Sequence, residues 1–367
     1  MAINRRDVLL NAVGTGVALA GVAALGPDWL SPIAARAQTS ELEESVIIRT
    51  TGGVFEQALR ENFFDPFTEE TGVKVIAVQA SYGDMMAKSA AMQAAGNVEW
   101  DIISPQYYEL SKLGNLLEDL GDCSAMPNVA SQGIPSACGG RGVLYLTGGQ
   151  VLTFDPQTFT DAKPQTWADF WDVEAFPGPR ALPNTGSPWA TLIAALIADG
   201  VAPADLFPLD LDRAFAKLDQ IKPHVAVWWT SGAQSQQVMR QGEAVMTLMW
   251  SGTAFAARES GIPLEWSWTN AVADFGAFGI LKNAPHPNAA RAFIDYYMAH
   301  PEHHAAFSRQ MGYATSSQAG RDLLTDEEKM TFGAIPEIAN QIIIPDADWL
   351  EQNRAAALER WNSWISA

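Results

Sequence analysis

The strongest constraint on the fold is the order in which β-rich runs and helical patterns alternate. SVIIRTT (residues 45–51) is a β-rich run, and the helical pattern FEQALRENFFDPF follows it. VKVIAVQA and DMMAKSAAMQAA repeat the pair, and DIIS adds a short buried strand before the turn at Pro105 and another helix. Such alternation predicts a parallel sheet with helices on both faces. VLYLTGGQVLTFDP then reads as one long strand interrupted by Gly148-Gly149, and glycines inside a strand mark a bend or a close backbone approach. Residues 165–265 alternate a second time, through RALPNTG, the helix SPWATLIAALIADG and the strands HVAVWW and AVMTLMW. The chain returns near ADFGAFGIL, residues 273–281. Two alternating units joined by two crossings predict a two-lobed α/β fold with a ligand cleft between the lobes. Lobe one is expected over 38–150 plus 278–320, and lobe two over 151–277 plus 321–367. Ligands of such sheets collect beyond the carboxyl ends of the strands.

The first 37 residues stand apart from this pattern. Arg5-Arg6 precede a weakly apolar run from Val8 to Leu25, and Ala35-Arg36-Ala37 is a small-x-small cleavage site. This reads as a cleaved signal peptide of the twin-arginine type, delivering the mature chain to the periplasm. In that oxidising compartment the two cysteines, Cys123 and Cys138, are expected to form a disulfide.

A net charge of -19 argues against nucleic acid as a partner, because phosphate binding needs a basic face. The sequence holds no G-x-S-x-G, H-E-x-x-H or phosphate loop, so an enzyme is not expected. A secreted hydrolase with an acidic pair stays as the rival, since 42 acidic residues offer many pairs. His300 and His304 share a helical spacing, but Pro301 lies among them; the cluster reads as a solvated helix face, with no metal and no cofactor expected.

Thirteen tryptophans are many for 367 residues, and tryptophan is favoured at ligand surfaces. Trp228 and Trp229 end one strand and point to opposite faces, so one packs inward and the other walls the cleft. Trp229 is the ligand-facing candidate, with the choice between the two left open. Ser231 is a natural N-cap for the helix after them, and that helix end favours an anion. Thr51-Gly52-Gly53 is a second anion-friendly loop. Arg49 and Arg180 are possible carboxylate partners.

Four stretches carry a family resemblance: FDPFTEETGVKVIAV, WDIISPQYYELSKLGNLLEDL, GEAVMTLMWSGTAFAARESG, and the segment from Phe278 to Ser317. Together they resemble bacterial extracellular solute-binding proteins of the spermidine/putrescine type. The resemblance implies capture of a small solute by hinge closure, docking on the membrane permease of an ABC importer, no catalysis, and a monomer. It places Tyr107, Trp250 and Tyr313 at the family's aromatic ligand positions. The position where polyamine binders carry an aspartate falls on Gly276, leaving Asp274, two residues earlier, as the ammonium partner. The expected ligand is thus a small amine or amino acid, polyamine-like or 4-aminobutyrate-like, with a carboxylate or aromatic acid as the alternative.

Overall fold

The computed structural model describes residues 42–367; the signal-peptide reading of residues 1–37 lies outside them. The strands are β1 (Ser45–Thr50), β2 (Lys74–Gln79), β3 (Ile102–Ile103), β4 (Val143–Phe154), β5 (Arg180–Pro183), β6 (Val225–Trp229), β7 (Met246–Trp250), β8 (Glu265–Ile280) and β9 (Ala314–Thr315). They run in the order β2-β1-β3-β8-β4-β7-β5-β6, with β9 attached to β4. β1 lies parallel to β2 and β3, and β5 parallel to β6 and β7. Between these two parallel groups, β4 and β8 pair antiparallel from Val143↔Phe278 to Phe154↔Glu265. The fold is therefore two-lobed, each lobe a parallel group with its helices, and the lobes share the two long crossing strands.

Each lobe buries its own core. One cluster joins Val46, Ile48, Phe63 and Phe67 with Tyr145, Phe293 and Tyr297. The other joins Phe154, Trp167, Phe170 and Leu192 with Trp349 and Trp361 of the C-terminal helix Ala347–Ser366. Asp346 caps that helix by accepting from the Trp349 N–H at 2.7 Å. The same helix also reaches lobe one, where Arg354 pairs with Glu109 and Asp348 with Lys112. Glu109 and Lys112 lie on the short 3-10 helix Tyr107–Lys112. Among the described residues no helix is long and apolar enough to cross a membrane.

Two expectations are corrected here. The return strand begins at Glu265 rather than near residue 273. EWSWTNAVA shows no clean alternation because both faces of this crossing strand meet protein, with Ser267, Trp268, Ala271 and Val272 all buried. The histidines, for their part, do not share one helix face. Pro301, which has no N–H, starts a second helix (Pro301–Met311) after Pro287–Ala299, and His300 sits at the junction. His304 is fully buried rather than solvated, with Nε2 2.6 Å from the Tyr297 carbonyl. His300, Glu302 and His303 remain near the surface, their donor atoms within 4.8 Å of one another.

Burial of His304 has a measurable consequence. Desolvation pushes its pKa down from 6.5 to about 3, against the smaller opposing effect of the Tyr297 carbonyl. Between those values the unfolded chain binds the proton and the folded chain does not, so stability is lost as pH falls from 6.5 toward 3. The loss from this group is about 1.4 kcal/mol per pH unit. Urea unfolding at pH 7 and pH 5 is expected to show a steeper decline for the native chain than for His304→Gln; equal declines would remove His304 as the cause.

Candidate functional site

The carboxyl ends of β1, β2 and β3 in lobe one and of β5, β6 and β7 in lobe two converge on the middle of the crossing strands. There Gly148 of β4 pairs with Asp274 of β8, and two residues along Gln150 pairs with Trp250 of β7.

Asp274 is half-buried, and no ion pair involves it among the described residues. Gln106, just ahead of the 3-10 helix, clamps this strand from lobe one. Its side-chain amide donates to Asp274 Oδ1 at 2.9 Å, and its carbonyl oxygen accepts from the Phe275 N–H at 3.0 Å. Burial raises the Asp274 pKa above the usual aspartate value, with the Gln106 bond opposing it. Two phenols stand beside this stretch of strand, Tyr313 against Gly148 and Tyr145 against Gly276. Both have their pKa raised, first by burial and further by the Asp274 charge. A half-buried carboxylate with aromatic rings nearby is the chemistry that receives an ammonium group, through charge and through the ring faces.

Three glycines make room for these rings. The Tyr313 ring is wedged between Gly148 and Gly252; an added Cβ would lie 2.5 Å and 2.2 Å from its atoms, respectively. The Tyr145 ring passes over Gly276, where an added Cβ would lie 2.7 Å from the hydroxyl, and stacks on Phe278 at 4.2 Å. The close approach expected at Gly148 is thus to the Tyr313 side chain, and β4 also carries pairing irregularities on both sides of the glycine pair.

Arg49, at the end of β1, is 3% exposed. One Nη donates to Ser104 Oγ at 2.8 Å and the other to the Ala80 carbonyl, while the buried Nε has no partner. No carboxylate lies within ion-pair distance of it among the described residues. Burial lowers its pKa, with Tyr145 and Tyr82 opposing the shift. Arg180 differs: it is wholly buried but donates to the carbonyls of Phe170 at 3.1 Å and Asp172 at 3.3 Å, so it ties down a loop of lobe two.

Several sequence candidates are placed elsewhere. Trp229 is fully buried; its indole N–H donates to Thr247 Oγ1 at 3.1 Å, and its ring packs edge-on behind Trp250 at 5.1 Å. Trp228 packs against Trp361 and Trp364 of the C-terminal helix. Neither walls the cleft, because each side of β6 is already covered, one by a core and the other by that helix. Trp250, half-buried at the end of β7, pairs with Gln150 of the crossing strand β4. Trp250→Ala is expected to weaken ligand binding by about 1–3 kcal/mol in calorimetry, and an unchanged affinity would take the ring out of the site.

Tyr107 turns away, its hydroxyl donating to the Ser136 carbonyl at 2.6 Å in the loop beside Cys138. Its neighbour Tyr108 faces lobe two instead and packs against that core, a residue the sequence reading missed. The dipeptide Tyr107-Tyr108 held the signal, but the 3-10 geometry that decides which ring turns inward did not show in it.

The two anion-friendly loops are satisfied internally in part. Ser231 accepts from the Gln234 N–H at 3.2 Å, and Gln234 in turn accepts from the Thr230 N–H at 2.8 Å. Beside exposed Thr51, the Gly52 N–H donates to Thr50 Oγ1 at 3.3 Å, and Thr50 donates to the Glu56 carboxylate at 2.6 Å. The chain's own acid, Glu56, thus sits beside the loop that Thr51 and Gly52 were expected to offer an anion, bound to the Thr50 hydroxyl. Of the sequence candidates, Asp274, Tyr313 and Trp250 flank the same stretch of β4.

A two-lobed shell with a half-buried, unpaired carboxylate between its lobes defines a binding protein for a small solute. Residues 62–330 match the family model described as bacterial extracellular solute-binding protein. The chain is similar to a gamma-aminobutyric acid-binding protein of Pseudomonas aeruginosa, 31% identical over 340 residues, covering 91% of this chain and 93% of the relative. It is also similar to the spermidine/putrescine-binding periplasmic protein of Escherichia coli, 25% identical over 307 residues, covering 78% and 80%. Among solved structures, an ABC transporter substrate-binding protein from Bradyrhizobium japonicum superposes with a TM-score of 0.79 at 31% identity, covering 88% of this chain and 100% of that one. The chain belongs to the bacterial extracellular solute-binding proteins, and its role is that of the solute-binding component of an ABC transporter.

Proposed function

We propose that this chain captures a small amine or amino acid in the periplasm by closure of its lobes and delivers it to an ABC permease, acting as a monomer. The observation that carries the ligand reading is Asp274, a half-buried carboxylate with no ion partner among the described residues, on a stretch of strand flanked by Tyr145 and Tyr313. Leaving a charge in such a place is costly unless a cation arrives to meet it. The names of two relatives, for gamma-aminobutyric acid and for spermidine/putrescine, agree with an ammonium-bearing ligand. The alternative of a pure carboxylate ligand has less support, since the Ser231 hydroxyl already accepts from the Gln234 N–H and the Gly52 N–H already meets Thr50. The chain is not an enzyme in this reading: the ligand leaves unchanged.

In the same reading, residues 1–37 are a cleaved twin-arginine signal, and the lobes divide near residues 150 and 277, where the two separate cores support the division. A thermal-shift screen of residues 38–367 tests the ligand class. The panel holds putrescine, spermidine, 4-aminobutyrate, common amino acids and aromatic carboxylates. A ligand at a hundred times its Kd stabilises by about 2.7 kcal/mol. The reading expects hits only among compounds with an ammonium group; hits confined to carboxylates without one would overturn it.

A further inference from the structure

We propose that His300, Glu302 and His303 form a divalent-metal site of the zinc type on lobe one, with Glu70 orienting His300 from behind. The site is separate from the solute cleft. Tyr313 lies just past the other end of the helix Pro301–Met311, and eleven residues of helix span about 16 Å.

The backbone gathers the three ligands. His300 is the N-cap of that helix, so Glu302 and His303 are its second and third residues. The His303 N–H donates to the His300 carbonyl at 3.1 Å, which closes the first turn and brings the two imidazoles to one side. Their rings lie nearly parallel, 18° apart in plane, with centroids 4.9 Å apart. One donor atom from each of the three side chains lies within 4.8 Å of the other two. Bonds of about 2.0–2.2 Å to a tetrahedral ion place ligand atoms roughly 3.4 Å apart. His300 Nδ1 already stands 3.5 Å from Glu302 Oε1, too far for a strong hydrogen bond and close to the spacing across an ion. Buried His303 Nδ1 has no hydrogen-bond partner, so that ring holds an unspent nitrogen.

The opposite edge of His300 carries the second observation. A metal-bound histidine usually turns its other nitrogen to a carboxylate, which fixes the tautomer and the ring orientation. His300 Nε2 faces Glu70 Oε2 at 3.8 Å, and Glu70 belongs to the helix Asp65–Thr71, some 230 residues away in sequence. Glu70 is itself held: its Oε1 accepts from the Tyr296 hydroxyl at 3.0 Å. The Tyr296 ring also packs on His300 at 4.6 Å, so the imidazole is placed between Tyr296 and His303. Among the described residues the ion pairs of Glu70 and Glu302 run to His300 alone, and no lysine or arginine neutralises either acid. Two imidazoles and a carboxylate are a zinc ligand set, with a fourth position left for water. The helical spacing of His300 and His304 pointed to the wrong partner, since His304 turns into the core and His303 takes its place.

Isothermal titration of zinc chloride into residues 38–367, prepared without a histidine tag, tests this. One zinc per chain is expected, together with a rise in melting temperature that EDTA reverses. His303→Ala and Glu302→Gln are each expected to weaken zinc binding at least about 10-fold, and Glu70→Gln about 10-fold through the lost orientation of His300. His224→Ala, at an exposed histidine outside the cluster, and Asp274→Asn, in the solute cleft, are expected to keep the native zinc affinity. Should His303→Ala fail to fold, Glu302→Gln decides, because that side chain is exposed. Absence of saturable binding overturns the site. So does a zinc ion held as tightly in Glu302→Gln as in the native chain, or one lost in Asp274→Asn, which would place the metal in the cleft.

Discussion

Asp274→Asn is expected to remove measurable binding of the ammonium-bearing ligand, a loss of about 2–5 kcal/mol, while the ligand-free chain melts at the same temperature or higher. The two halves of this expectation share one cause. Asp274 is half-buried, lacks an ion partner, and has a pKa raised by burial above the ordinary carboxylate value. A raised folded pKa means the folded chain holds its proton to higher pH than the unfolded chain. The ionised form therefore lowers stability as pH rises through that window. Asparagine keeps the shape and can still accept from Gln106, which donates to Oδ1 at 2.9 Å. It removes the charge that burdens the empty site and that the ligand neutralises, a stability–function exchange typical of binding sites. Calorimetry with 4-aminobutyrate and a melting curve of each protein measure both halves. Retained affinity in Asp274→Asn would move the ammonium site elsewhere.

The second large effect is expected at the disulfide. The structure joins Cys123 to Cys138 with their Cα atoms 6.0 Å apart, closing a loop with a sequence separation of 15. In the chain-entropy account a loop of that length stabilises by about 3 kcal/mol, so the double substitution of Cys123 and Cys138 by Ser is expected to cost about that much in urea unfolding. The loop also touches the site through one intermediary. Tyr107 donates to the carbonyls of Ser136 at 2.6 Å and Cys138 at 3.4 Å, which anchors the 3-10 helix at whose start Gln106 holds Asp274. Beside Tyr107 on that helix, Tyr108 packs against the lobe-two core, and Glu109 meets Arg354 of the C-terminal helix. Opening the disulfide is therefore expected to weaken ligand binding as well as stability. A variant that loses stability but binds with native affinity would show that the 3-10 helix keeps its place without the loop.

Much of the lobe architecture was legible in the residue pattern, because hydrophobic period and glycine placement act locally. β1, β2, β4, β6 and β7 fall where β-rich runs end in glycine, proline or polar turns. Gly148-Gly149 marked the crossing, although the reason, a tyrosine arriving from residue 313, is non-local. The return strand was read short because alternation vanishes where both faces of a strand meet protein, as in EWSWTNAVA. The site was less legible for the same reason. Which of Trp228 and Trp229 faces a cleft depends on what covers each side of β6, and the cover comes from Trp361 and Trp364, more than a hundred residues away. Tyr107 and Tyr108 exchange roles according to a 3-10 twist. Ser231 was a correct N-cap, and that very competence uses its oxygen internally. Arg49 and Asp274 were both visible as charges, but a buried charge without a partner is a property of the fold, since only the fold shows that no counter-ion reaches it.

The most direct test of the account is a crystal structure of residues 38–367 grown with 4-aminobutyrate. The account predicts one molecule between the lobes, its ammonium on Asp274 within reach of the Tyr145 and Tyr313 rings, and contacts from both sides of the β4–β8 crossing. A ligand bound within a single lobe, or one whose ammonium lies away from Asp274, would contradict it.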